Sequence, residues 1–111
     1  MSDVFLEVVI DAAGALEAGI EGRDEIEEPL ETALGAKGLG WISGGGGGSG
    51  TYVLDVEIEV EERLQDALTV IRTVLRNLNV PKDSVIKRYK PKKAEFTVYT
   101  EEEGGTPETG V

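Results

Sequence analysis

The chain has 111 residues, with 22 acidic against 11 basic side chains and a formal net charge of -11 at pH 7. That length holds one modest core, and the charge argues against nucleic acid or an anionic membrane as partner, because phosphates would be repelled. There is no Cys and no His, which removes disulfides, a thiol nucleophile, thiolate metal ligands and the commonest general base near neutral pH.

The acidity is uneven. Residues 1–62 carry 15 acidic and 2 basic side chains, whereas residues 63–111 carry 7 and 9. Met1-Ser2-Asp3 opens no basic, apolar leader, and no apolar run is long enough to span a bilayer, so the expectation is a soluble cytoplasmic protein.

Val4 to Ile10 is an aliphatic run of strand length and reads as a buried central strand. Asp11 to Gly22, broken by Gly14, Gly19 and Gly22, reads as a long loop with a helical turn at most. Asp24 and Glu27 have capping-box spacing ahead of Ile26, Leu30, Ala33 and Leu34. Pro29 suits only a first turn, which moves the expected helix start toward Glu27 or Glu28. Trp41 and Ile42 form a short second strand, and Gly44 to Gly50 a flexible hairpin tip. Thr51 to Val60 alternates with a clean period of two and is the third strand. From Glu61 or Glu62 onward, Leu64, Ala67, Leu68, Ile71, Leu75 and Leu78 recur at helical spacing. Val85 to Tyr89 and Ala94 to Thr100 read as strands around the basic turn Lys90-Pro91-Lys92-Lys93. One domain over residues 1–100 and a disordered polar tail over 101–111 complete the expectation.

This order of elements resembles the ferredoxin-like βαββαβ sandwich, an α+β fold, over most of residues 4–100. The resemblance implies an antiparallel sheet of strand order 4-1-3-2, two helices on one face and the other face open. The first and third strands would then be central neighbours. With Leu6, Val8 and Ile10 toward the helices, Phe5, Glu7, Val9 and Asp11 would share the open face with Val53, Asp55, Glu57 and Glu59. Lys87 and Tyr89 would join them if Val85 and Val98 lie in the core.

Like charges on one sheet face repel unless solvated or met by a positive partner. One reading is that these acids only keep an open sheet soluble and block edge pairing. The other is an interaction surface made of Glu7, Asp11, Trp41, Asp55, Glu57 and Glu59, with Trp41 as an aromatic anchor. Alternating carboxylates on one strand are too far apart to chelate a divalent cation unaided, so no metal site and no cofactor are assigned. The basic turn of Lys90, Lys92 and Lys93 has a further use, pairing with the acidic face of another copy to give a homodimer.

No catalytic residue is assigned. The glycine run enters a strand and lacks the Lys of a phosphate loop. The serines have no His to activate them. The arginine-bearing loop of acylphosphatases, which share this fold, is missing after the first strand.

Two functional classes remain. The stretch Trp41-Ile42-Ser43 through Asp55-Val56-Glu57-Ile58, followed by Leu68, Ile71, Arg72 and Leu75 and then Val80-Pro81, resembles small bacterial proteins of the immunity type, which neutralise toxins. That resemblance implies a non-catalytic module that binds and blocks a basic protein partner. The alternative is a small-molecule-binding regulatory (sensor) domain, its pocket framed by Asp11–Gly22 and Gly44–Gly50.

Overall fold

The computed structural model describes residues 2–90 and 92–99. Among the described residues, five strands form one antiparallel sheet, with three α-helices and a 3-10 turn. β1 (Val4–Asp11), β2 (Gly40–Gly48), β3 (Thr51–Ile58), β4 (Val85–Lys90) and β5 (Ala94–Thr97) lie in the order β2-β3-β1-β4-β5. The helices are α1 (Ala12–Glu17), α2 (Asp24–Ala36) and α3 (Leu64–Asn77).

The aliphatic half of the strand pattern builds the core. Val4, Leu6, Val8 and Ile10 of β1, Leu54, Val56 and Ile58 of β3, and Ile86 of β4 are fully buried on one face of the sheet. Against them pack Ile26, Leu30 and Leu34 of α2 and the stripe Leu64, Ala67, Leu68, Ile71 and Leu75 of α3. Each of the Val, Leu and Ile side chains contributes about 1.5–3 kcal/mol of transfer free energy. Asn79 takes the left-handed backbone just past α3, and the Val80 amide donates back to the Leu75 carbonyl, closing the helix end. From the flank of α3, Arg72 and Arg76 donate to the Thr97 and Val98 carbonyls, fixing the chain that follows β4.

Several elements differ from the sequence expectation, each for a local reason. Asp11 to Gly22 holds a helix, α1, because the Asp11 carboxylate accepts from the Gly14 amide at 2.7 Å and caps it. Asp24 does not cap α2; it is the first helical residue, after Arg23. Pro29 lies well inside that helix, a position that removes one backbone donor. The glycine run is not a loose tip. β2 extends through Gly48, paired with β3 down to Gly48↔Thr51. Only Ser49 and Gly50 turn, both at positive φ (53° and 80°), the two-residue geometry that suits a twisted hairpin. A strand ladder is made by the backbone, so the regular partner β3 holds glycines that have no strand preference of their own.

Two further boundaries shift. β3 ends at Ile58 and a 3-10 turn, Glu61–Arg63, precedes α3. Val85 does not lie in the core: Ile86 does, and Val85 shares the open face with Lys87, as a period of two requires. The tail expected over 101–111 lies outside the described residues.

No helix among the described residues is long and apolar enough to cross a membrane.

Candidate functional site

The sheet face away from the helices is uncovered, and strand register arranges its side chains in transverse rows. The middle row runs Gly44, Asp55, Glu7, Lys87, Glu95 across the five strands, each directly opposite the next. One level toward the β2–β3 hairpin lies an apolar row: Gly46, Val53, Val9, Val85, Thr97. On the other side, Trp41 faces Glu57 and Glu57 faces Phe5. There β4 shifts register, so that Phe5 pairs with Lys90 and Leu6 with Arg88, leaving Tyr89 as the extra residue. The Phe5 and Tyr89 rings stand 6.2 Å apart at 44°.

Two carboxylates on adjacent strands, Glu7 and Asp55, therefore meet across the face, with Glu57 two residues along β3. All three are half-buried. Asp55 responds most: partial burial pushes its pKa above the ordinary 3.8, and the nearby charges of Glu7 and then Glu57 push the same way. Arg23 at the start of α2 opposes this. Its guanidinium reaches the Val53 carbonyl at 3.5 Å and pairs with Glu27 at 3.8 Å. Gly45 makes the approach feasible, since a Cβ there would collide with both the Val53 carbonyl and the guanidinium.

Glu7 is held from the other side. The Tyr89 hydroxyl donates to Glu7 Oε1 at 3.1 Å, and that hydrogen bond raises the phenol pKa above its usual value, because a phenolate would face a carboxylate. Ser2 Oγ donates to Glu57. Trp41, 39% exposed, and Tyr89, 41% exposed, flank the carboxylates as two large aromatic surfaces.

The structure brings together Glu7, Trp41, Asp55 and Glu57 of the expected surface. Asp11 does not join them as a free carboxylate, because it caps α1. Glu59 sits past the end of β3, exposed and outside the paired rows. Phe5, Lys87 and Tyr89 are expected on this face but not among its docking residues; Lys87 is the direct neighbour of Glu7 and Phe5 stands against Tyr89. Val85, expected in the core, and Arg23 are additions. The alternation of Val85, Lys87 and Tyr89 carried the signal for the β4 residues. Arg23 had none, since its reach depends on how α2 crosses the hairpin.

The basic side of the face is distinct. Lys87, Arg88, Tyr89, Lys93, Ala94 and Glu95 line a shallow cavity of about 370 Å³ along β4 and β5. Among the described residues, no group of three or more acidic side chains is placed to hold a metal ion.

No protein-family model, curated protein or solved structure matches the chain, so the resemblance to immunity-type proteins draws no support from relatives.

Proposed function

We propose that the protein is a non-catalytic interaction module whose open sheet face docks a basic surface of a protein partner. The observation that carries this reading is the Asp55–Glu7 juxtaposition, in which the fold tolerates two opposed carboxylates beside exposed aromatic and half-buried aliphatic side chains. A face kept only for solubility gains nothing from seating Phe5, Val9, Val53 and Val85 among its charges. An apolar centre with a charged surround is the composition of a docking surface. Electrostatic steering would bring the basic partner in, and the aromatic side chains would hold it.

Inhibition of the immunity type, in which docking occludes the partner's own active site, is the form of this function that we favour. We read the framework as ferredoxin-like with a fifth strand added at one edge, a reading supported by the run β2-β3-β1-β4, which is 4-1-3-2 taken backwards. A metabolite sensor would need loops at Asp11–Gly22 and Gly44–Gly50 to frame a pocket. Those segments contain α1 and much of β2.

The test is capture from a lysate on immobilised protein, washed with rising salt, for the wild type and an Asp55→Lys/Glu57→Lys variant. A basic protein retained by the wild type, released at high salt and not retained by the folded variant is the expected result. Equal retention by both, or retention of nothing, would reject the reading.

A further inference from the structure

We propose that the open face also accepts a second copy of this chain, sheet against sheet, about a two-fold axis parallel to β1 and β4 and passing between them. This deepens the reading of that face as a docking surface and rests on it. The face is largely self-complementary. Such an axis lays β1 of one copy over β4 of the other, and each level of the sheet then meets its chemical counterpart.

In the apolar row Val9 and Val85 are direct neighbours, so each would lie over the other in the second copy. In the middle row Glu7 and Lys87 are direct neighbours, so each Glu7 would face a Lys87 of the second copy, twice by symmetry. At the third level Phe5 and Tyr89, already in ring contact, would stack against the same pair. Outside these, β3 lies over β5, bringing Glu57 toward the basic cavity that Lys93 lines beside Tyr89. One level is unfavourable: Asp55 comes over Glu95. Both stand toward the margin, where the roughly 30° angle between packed sheets separates them and water screens them.

The charge division makes a second copy a fitting occupant. The face carries Glu7, Asp55 and Glu57 on its β1–β3 side and Lys87, Lys90 and Lys93 on its β4–β5 side. A uniformly acidic face would repel its own copy. This one presents the opposite sign wherever the two-fold places it, with Glu95 as the exception. The overlap is four strands wide, since the axis leaves β2 unopposed; at about 19 by 17 Å from strand spacing and rise it is below the ~800 Å² per partner of standard interfaces. The dimer is therefore weak, reversible and salt-sensitive, and a foreign basic partner competes for the same face.

Each copy carries a net charge of -11, which repels its twin unless salt screens it. Sedimentation across a concentration series at about 0.15 M salt and at 1 M (Debye lengths of roughly 8 and 3 Å) therefore tests this with the full chain. The wild-type mass should rise with concentration from 11.9 kDa toward twice that value at about 0.15 M salt, where the net repulsion is screened but the short contacts are not, and fall back at about 1 M. Glu7→Lys alone and Lys87→Glu alone should each raise the dimer dissociation constant by about tenfold or more. An equimolar mixture of the two should dimerise again, because each contact then pairs opposite charges. The like-charge neighbours inside each variant's own sheet remain, so only contact between chains explains that rescue. If circular dichroism shows a single variant unfolded, the Glu7→Lys/Lys87→Glu double variant carries the test, and its dimerisation is the expected result.

A wild type monomeric throughout, single variants that dimerise normally, or a mixture or double variant that stays monomeric would each overturn the proposal. A monomer that still captures a basic protein from lysate would leave the docking reading standing without the dimer. A dimer that captures nothing would do the reverse.

Discussion

The two faces of β1 are made by one stretch of eight residues and follow opposite rules. Toward the helices Val4, Leu6, Val8 and Ile10 are all fully buried and all aliphatic. Toward the open side stand Phe5, Glu7 and Val9, half-buried, with an aromatic ring, a carboxylate and a branched aliphatic in succession. The first face is what hydrophobic burial alone would select. The second is not what burial alone would select, since its neighbours Asp55 and Glu57 add like-charge repulsion. The difference separates what makes this chain fold from what it presents once folded.

The widest gap should appear when the same strand is truncated on each face. Leu6→Ala empties a fully buried site and should cost about 2–5 kcal/mol in chemical denaturation. Val9→Ala, on the half-buried face, should cost under about 1 kcal/mol. Similar losses at both sites would mean that the open face is covered in solution, as the second-copy proposal requires at high concentration. The pair is therefore best measured in dilute protein and 1 M salt.

β2 offers a second, smaller comparison. A Cβ on Gly40 would run into the Glu57 carbonyl, so Gly40→Ala should destabilise by about 1–3 kcal/mol. A Cβ on Gly46 would meet nothing within 4 Å, and its φ is not in the left-handed region. Gly46→Ala should then be neutral or stabilising by about 0.4–1 kcal/mol, through the lower entropy of the unfolded chain. Thermal unfolding of the two variants reads both effects. A costly Gly46→Ala would show that the glycine run is held by constraints beyond its ladder with β3.

How far the sequence discloses this molecule follows the same division. Residues repeated with a period were legible: Leu6, Val8 and Ile10 on β1, Leu54, Val56 and Ile58 on β3, and the stripe from Leu64 to Leu75 each announce one buried face. Elements fixed by a single interaction were not. α1 starts at the Asp11 cap, and one oxygen of that carboxylate, expected on the surface, is engaged by the Gly14 amide. β2 is held by pairing with β3, which its glycines do not advertise. Of the surface itself, Glu7, Asp55 and Glu57 could be placed from alternation and strand order together. The Glu7–Lys87 opposition needed the register of β1 against β4, including the shift at Phe5 and Leu6. Arg23 needed the crossing of α2 over the hairpin.

The claim at the centre of this account is that the open-face carboxylates burden the fold and are kept for what they bind. The stability of Asp55→Asn against wild type, measured by chemical denaturation from pH 3 to pH 8, tests it most directly. The folded-state pKa of Asp55 is raised above 3.8. Between those two values the folded protein still holds a proton that the unfolded chain has released, so rising pH lowers stability there, and the loss persists at neutral pH. The account predicts that Asn, which carries no charge, removes this loss: the variant is at least as stable as wild type at pH 7, and its relative advantage shrinks as the pH falls below 3.8. A variant less stable than wild type at pH 7, with wild type gaining on it as pH rises, would show that the Asp55 carboxylate supports the fold and would contradict the account.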